Sequence, residues 1–326
     1  MTLTGQIASR LLLEDCEAAV NRIAETLRGY VRNTARKRGV VLGLSGGIDS
    51  SVTAALCVTA LGSSRVRGLL MPERESSSES EQLARVVADH LAIQTIREDI
   101  APVLDAAGCY RRRNDAIRSV APGFGPGYTC KLVLPSVGTG GPYRFFEIVV
   151  ASPTGEQIRK RLTHSAYLGV VAATSFKQRV RKMMEYFHAD RLNYAVAGTP
   201  NRLEYDQGFF VKLGDGAADI KPIAHLYKTQ VYQLAAFLGL PHEVRTRPPT
   251  TDTYPMAQSQ EEFFFSVPLQ LLDLCLYGKD RGLPPHEVAR IAELPLDRIE
   301  RIYEDIDAKR AAAEYLHAGP MVVGEE

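Results

Sequence analysis

Val40-Val41-Leu42-Gly43-Leu44-Ser45-Gly46-Gly47-Ile48-Asp49-Ser50-Ser51 is the stretch on which the fold turns. Val40 to Leu44 is a run of apolar β-formers, Ser45-Gly46-Gly47 ends it, and an amphipathic stretch runs from Ile48 to Leu61. That order predicts a buried strand, a tight glycine turn, and a helix whose N-terminus faces the turn. The first amides of such a helix lack intrahelical partners and have the helix dipole behind them, so the turn is a seat for phosphate. Gly46 and Gly47 remove side chains so that backbone can approach an anion, and Ser45 and Ser50 add hydroxyl donors. A carboxylate at Asp49 repels phosphate unless a cation lies between them, which makes Asp49 a candidate Mg²⁺ ligand. No Gly-Lys-Ser/Thr follows at the Walker A spacing.

Outward from this loop, strand-like and helix-like stretches alternate. A helix is expected over 5–37, with Ile7, Leu11, Leu12, Cys16, Val20, Ile23, Leu27, Tyr30 and Val31 as its apolar stripe. Val66 to Met71 reads as a second strand, Ser76 to Leu91 as a second helix, and Ile93 to Asp99 as a third strand. Short links between such elements imply an α/β fold with a doubly wound parallel sheet, which binds ligands beyond the carboxyl ends of its strands. Ala121 to Gly155 breaks the rhythm: it is rich in Gly and Pro and carries two β-type runs, Cys130 to Leu134 and Tyr143 to Val150. This reads as an inserted hairpin or flap, with a lid, a dimer arm and a passive excursion all open. Periodicity resumes in a long helix at Tyr167 to Ala189, with Phe176, Val180, Met183, Met184 and Phe187 expected on its buried side. A fourth strand at Tyr194 to Ala197 precedes helices at Lys228 to Leu238, Gln260 to Tyr277, Pro285 to Glu293 and Leu296 to Leu316. The organisation expected is one domain over 1–326, with an insertion at about 121–155 and a helical C-terminal extension at about 255–318.

Composition removes several classes of function. The chain has 326 residues, 45% of them hydrophobic, and its 39 basic and 38 acidic residues nearly cancel, so no global field draws nucleic acid or membrane. No apolar run is long enough to span a bilayer, and the N-terminal stretch lacks a basic region followed by a signal core, so a cytoplasmic enzyme is expected. The five cysteines are scattered and never spaced as C-x-x-C, which argues against a zinc ribbon or disulfide framework and for a reducing compartment.

A second cluster narrows the chemistry. Gly198-Thr199-Pro200-Asn201-Arg202-Leu203-Glu204 puts Thr199 just past a strand end and Glu204 within reach of the same edge as a second metal carboxylate. Lys228, opening a helix, can neutralise charge building on a departing phosphate group. Arg247-Pro248-Pro249-Thr250-Thr251-Asp252 is a stiff turn carrying hydroxyls toward that edge. Met singly, Glu204 and Asp219 would read as surface carboxylates, Lys228 as a solvated helix-start lysine, and Arg179 and Arg181 as an exposed basic face. Their order behind the first motif is what points them to one site.

The first loop resembles Ser-Gly-Gly-x-Asp-Ser, the pyrophosphate loop of the ATP-pyrophosphatases, an adenine nucleotide alpha hydrolase-like group that splits ATP between its α- and β-phosphates. Over Val40 to Leu104 and Phe176 to about Thr251 the chain is similar to the NAD synthetase family, ammonia-dependent type. Its strongest segments are Leu44 to Ser50, Gly198 to Glu204, Phe209 to Asp219 and Leu226 to Val231. The resemblance implies that Ser45, Gly46, Gly47, Ile48, Asp49 and Ser50 hold ATP phosphates and Mg²⁺. It adds Gln82, Thr199, Glu204, Lys228 and Thr250 on the ATP side, with Asp49 and Glu204 as metal ligands. It places Lys212 and Asp219 around the nicotinate and ribose of deamido-NAD, and Arg179, Tyr186 and Arg181 on a helix that supports the dinucleotide across a homodimer interface. The implied reaction is amidation of nicotinic acid adenine dinucleotide through an acyl-adenylate. The stretch before Val40 is too short for a glutaminase domain, so ammonia is expected free or from a separate glutaminase chain. Three departures are visible: where the family often carries a His-Lys-Arg, Asp307-Ala308-Lys309-Arg310 stands nearby; the stretch from Thr251 to Asp280, with Phe263-Phe264-Phe265, differs from the shorter acidic loop expected; and the 121–155 insertion has no counterpart in the minimal pattern. Another adenylating amide ligase acting on a different carboxylate, and a non-catalytic ATP-binding protein, are the rival expectations.

Overall fold

The computed structural model describes residues 11–133, 146–250, 254–256 and 258–324. Asp15 opens helix α1 (Cys16–Gly29) by accepting a hydrogen bond from Ala18 N at 2.9 Å, a side-chain N-cap. The helix expected over 5–37 is therefore shorter. Residues 5–10 lie outside the described part, the cap interrupts the run, and a π-helical turn (Tyr30–Thr34) continues it at its far end. Leu11, split off by the cap, packs into the C-terminal helical core instead of the sheet.

β1 (Val40–Gly43), α2 (Ile48–Leu61), β2 (Val66–Leu70), α3 (Ser78–His90) and β3 (Gln94–Arg97) alternate next. Two short helices that the apolar pattern did not flag follow, α4 (Ala101–Ala106) and α5 (Cys109–Arg118). The inserted region carries β4 (Thr129–Val133), β5 (Glu147–Ala151) and β6 (Gln157–Arg161), and α6 (His164–Leu192) leads to β7 (Ala195–Val196). Among the described residues the helices that follow are α7 (Arg202–Gln207), α8 (Lys228–Phe237), α9 (His242–Thr246), α10 (Leu269–Asp280), α11 (Pro285–Ala292) and α12 (Leu296–His317).

The main sheet runs β3-β2-β1-β7, with all pairings parallel. Alternation along β1 sorts its side chains onto two faces. Val40 and Leu42 pack with Ile23 of α1, Val52 of α2 and Val231 of α8, whereas Val41 packs with Leu69, Val196 and Ala189 of α6. With both faces covered, the central strand β1 is continuously apolar and so legible from sequence, whereas β2 carries Arg67 and β3 reads Gln94-Thr95-Ile96-Arg97. The strand order reverses at β1, since β2 and β3 lie on one side and β7 on the other. That reversal opens a crevice beyond the carboxyl ends of β1 and β7.

Three expectations need correction. The insertion is a three-stranded antiparallel sheet, β4-β5-β6, rather than a hairpin, with residues 134–145 outside the described part. Leu132, Ile148 and Val150 share a buried cluster with Ile117 of α5 and Val170 of α6. On α6, Val180 is buried, but Met183 and Phe187 are 53% and 54% exposed. The helix expected at 260–277 is broken: a π-helical turn (Glu261–Phe265) ends at Ser266, whose φ of 60° is left-handed, and Pro268 then starts α10. Among the described residues no helix is long and apolar enough to cross a membrane.

Candidate active site

The crevice holds a cavity of about 490 Å³ lined by the glycine turn, the segment after β2, Thr199, Glu204, Lys228 and the Pro248–Thr250 turn. At the turn, Ser51 N donates to Gly47 O at 3.1 Å, the first helical bond of α2, so the amides of Ile48, Asp49 and Ser50 precede it. Ser45 Oγ and Ser50 Oγ lie 3.1 Å apart, and Gly47 N donates to Ser45 Oγ at 3.3 Å. The two glycines differ in purpose. Gly46 has φ +75°, and a Cβ there would sit 2.6 Å from Ser80 O, so α3 crosses too closely for any side chain. Gly46 serves that crossing and does not line the cavity; Gly47 does.

Asp49 is gripped from two directions. Lys228 Nζ donates to its Oδ2 at 2.5 Å, and Asn201 Nδ2 donates to its Oδ1 at 2.9 Å. Asn201 also caps α7. Its Oδ1 accepts from Glu204 N at 3.3 Å, and its own N donates to Glu204 Oε2 at 3.1 Å, the reciprocal pair of a capping box. One buried asparagine thus ties the two candidate metal carboxylates together. Gln260 Nε2 donates to the other oxygen of Glu204, Oε1, at 2.8 Å. The carbonyl Oε1 of Gln260 is buried with no partner among the described residues.

Charge is concentrated here. Burial first, and the Asp49 carboxylate second, push Glu204 from the ordinary 4.5 up to about 7. Burial works against the Lys228 ammonium, but Asp49 and Glu204 outweigh it and hold its pKa above the usual value. Between pH 4.5 and 7 folded Glu204 keeps a proton that the unfolded chain has lost, so stability falls as pH rises through that window. Unfolding titrations in EDTA should show this decline, at most about 1.4 kcal/mol per pH unit from this one group. Glu204→Gln should flatten it. An unchanged slope in that variant would remove the group from the account.

Neighbouring segments are pinned around the cavity. Lys177 of α6 donates to Glu73 at 2.8 Å and to Glu75 at 2.7 Å, and Arg113 of α5 forks onto Glu75 at 2.6 and 2.8 Å. This buried network clamps the segment after β2, which faces the cavity with Ser76 and Ser77. Arg247 Nη2 donates to Ser80 Oγ at 2.9 Å, and Thr250 pairs with Ser259 in a single antiparallel bridge. From the insertion, Leu132 and Phe146 reach the cavity, Phe146 stacked on Tyr167 at 4.1 Å. Gln258 Nε2 donates to Leu132 O at 2.5 Å, joining the insertion to the chain after Thr250.

Of the residues singled out from sequence, Ser45, Gly47, Ile48, Asp49, Ser50, Thr199, Glu204, Lys228 and Thr250 share the cavity. Gln82 is exposed on α3 and does not line it, whereas Ser80 and Glu81 do. Arg179, Tyr186, Lys212 and Asp219 form a separate ridge where α6 meets the 208–219 segment. Arg179 Nε donates to Lys212 O at 3.4 Å, and Tyr186 Oη donates to Asp219 Oδ1 at 3.3 Å. Asp219 Oδ2 accepts from Val196 N at 2.7 Å, and Lys212 Nζ donates to the carbonyls of Tyr315 and Ala318. Thr251 and Asp252 lie outside the described residues. Asn201, Gln260 and Asp273 were not singled out; Asn201 carried one signal, an Asn three residues before Glu at a helix start.

The chain matches the model of the NAD synthase family over residues 19–120 and 148–312. It is 57% identical over 319 residues to the NH(3)-dependent NAD(+) synthetase of Mesorhizobium japonicum, covering 97% of this chain and 100% of that one. It is 33% identical to the protein of the same name in Methanocaldococcus jannaschii, over 89% of this chain and 92% of that one. Two solved structures share the fold: NMN synthetase from Francisella tularensis, with TM-score 0.66 and 22% identity over 95% of this chain and 99% of that one, and NH3-dependent NAD synthetase from Campylobacter jejuni, with TM-score 0.63 and 20% identity over 95% and 100%.

Proposed function

The chain belongs to the NAD synthase family, and from that premise we propose that it amidates deamido-NAD to NAD with ammonia, consuming ATP and releasing AMP and pyrophosphate. The observation that carries this reading is the Asp49 carboxylate, held between Lys228 and Asn201 at the open N-terminus of α2 with Glu204 tied to the same asparagine. A carboxylate does not react with ammonia near neutral pH, because its carbon is a poor electrophile and its oxygen a poor leaving group. The nicotinate oxygen therefore attacks the α-phosphorus of ATP. The bond from that phosphorus to the bridging oxygen breaks, and its electron pair leaves with pyrophosphate. Ammonia then attacks the acyl carbon, AMP departs with the carboxylate-derived oxygen, and a proton is lost from nitrogen.

In this reading the first-turn amides of α2 and the hydroxyls of Ser45 and Ser50 seat the polyphosphate. The Lys228 ammonium faces the leaving pyrophosphate, so fixed charge and alignment carry the rate. A Mg²⁺ ion fits the residues present, with Asp49 and Glu204 as its protein ligands. The orphaned carbonyl of Gln260 beside Glu204 is a buried acceptor suited to a water of the metal's shell. Among the described residues no three His, Cys, Asp or Glu groups converge, so phosphate and water oxygens would complete the shell, as Mg²⁺ commonly requires. Bound there, the ion would neutralise charge on the departing pyrophosphate.

Water competes with ammonia for an acyl-adenylate. We assign Phe146, with Leu132 and Tyr167, to shielding the cavity from solvent, on the strength of the Phe146–Tyr167 stack at its edge. Phe146→Ala should raise AMP above NAD by about twofold or more at limiting ammonium; equal amounts would release the insertion from this role. On α6, Arg179, Met183 and Phe187 recur every four residues along one exposed face. A second copy covering that face would complete the deamido-NAD site along the ridge of Tyr186, Lys212 and Asp219. Sedimentation should give a dimer for the native chain and a monomer for Phe187→Asp; a native monomer would refute it. Ammonia arrives free or from a separate glutaminase chain. The five free thiols suit a reducing, cytoplasmic setting.

The test is an assay with ATP, Mg²⁺, ammonium chloride and deamido-NAD, scored for AMP, pyrophosphate and NAD in equal amounts. Nicotinic acid mononucleotide and other carboxylic acids form the comparison panel. Faster turnover with another acid would overturn the substrate assignment.

A further inference from the structure

Helix α10 contacts both helix starts that carry the site. Asp273, fully buried, accepts from Lys228 N at 3.1 Å, from Thr229 N at 2.7 Å and from Thr229 Oγ1 at 2.7 Å. Lys228 and Thr229 supply the first two amides of α8, which an N-cap side chain normally serves. The N-cap here is Tyr227, too long to turn back as Ser or Asp would, so the helix start is closed by a carboxylate from another helix. Two turns further along α10, on the same face, Asp280 Oδ2 accepts from Tyr227 Oη at 2.7 Å and from Arg202 Nη2 at 2.6 Å. Arg202 is the first residue of α7, the helix that carries Glu204. Arg202 N also donates to Leu226 O at 2.9 Å, joining the two starts directly.

A buried carboxylate is costly unless donors converge on it. Among the described residues, every donor on Asp273 belongs to the two residues that begin α8. Because those bonds hold backbone, they set where the Lys228 side chain departs. The Nζ of Lys228 then reaches Asp49, itself joined through Asn201 to α7. A misplacement of about 1 Å in such a group costs about 10²-fold in rate.

We propose that Asp273 is a positioning residue for the amidation reaction, fixing the backbone of Lys228 so that its ammonium meets the polyphosphate beside Asp49. This rests on the role given to Lys228 above. A mutant cycle tests both parts separately, using the full chain with ATP, Mg²⁺, deamido-NAD and ammonium chloride. Asp273→Asn keeps the shape but turns an amide group toward donors, and Asp273→Ser keeps one acceptor without charge. Each is measured alone and combined with Lys228→Ala, below the melting temperature of the weakest variant. The expected result is a kcat loss of about 10²-fold for Asp273→Asn alone, with KM for deamido-NAD unchanged within about twofold. In the Lys228→Ala background the same change should cost less than about threefold, because the group it positions is gone. Asp273→Ser should follow the same pattern with a smaller loss. Equal losses in both backgrounds, or no loss in the native background, would overturn the positioning role. If Lys228→Ala itself turns over like the native chain, the assignment of Lys228 fails instead.

Discussion

Asp49→Asn is expected to lower kcat for NAD formation by about a thousandfold or more. Asparagine matches the carboxylate in shape, and one of its atoms can still meet Asn201, but it carries no charge. The Lys228 ammonium, now 2.5 Å from a carboxylate oxygen, would meet an amide. The proposed phosphate seat would lose the carboxylate that holds a cation beside it. The substitution also leaves a buried lysine poorly paired, so the metal-free protein should lose about 3 kcal/mol of stability. Activity must therefore be read well below the melting temperature. There the predicted signature is a collapse of both AMP and NAD formation that excess Mg²⁺ restores only in part. Native turnover in a folded Asp49→Asn protein would show that this carboxylate only holds the fold.

Lys228→Ala should cost about 10²- to 10³-fold in kcat, with a smaller effect on KM for ATP. The ammonium lies at the start of α8, 3% exposed, facing a carboxylate that follows the glycine turn, beside the proposed phosphate seat. Charge on pyrophosphate grows as its bond breaks, so a fixed cation there stabilises the transition state more than the ground state. Lys228→Arg should not rescue, because a planar guanidinium is larger than the buried space of a single ammonium. In the metal-free protein the alanine variant leaves Asp49 and Glu204 facing each other without the lysine. Its midpoint in urea should fall below the native value and recover on adding Mg²⁺ with ATP. A loss confined to KM would mean that Lys228 binds ATP without acting on its cleavage.

The central strand could be read from sequence because a parallel strand covered on both faces is a continuous apolar run, as Val40 to Leu44 is. β6 could not: all five of its residues, Gln157–Arg161, are exposed, so it carries no alternation. The long helix α6 misled for another reason. Its 29 residues carry apolar side chains around much of the circumference, so Met183 and Phe187 seemed to belong to the buried stripe. The loop residues of the site followed from local chemistry, since phosphate needs open amides and a carboxylate beside it needs a cation. Gln260 and Asp273 act through partners far along the chain with no local pattern to mark them, and the local pattern at Asn201 marks only its capping box with Glu204, not its contact with Asp49. Asn201 meets Asp49 across 152 residues, and Asp273 meets Lys228 across 45. Gly46 illustrates the same limit: the sequence pattern points it at a phosphate, whereas in the fold it lies outside the cavity and its missing side chain makes room for the crossing of α3.

Isotope transfer tests the central claim most directly. Deamido-NAD carrying ¹⁸O in its nicotinate carboxylate is converted with ATP, Mg²⁺ and ammonium chloride, and the phosphorus-containing products are examined by ³¹P NMR. Attack by the carboxylate on the α-phosphorus predicts one labelled oxygen in AMP and none in pyrophosphate. Label in orthophosphate, accompanied by ADP, would place the cleavage at the terminal phosphate and contradict the account.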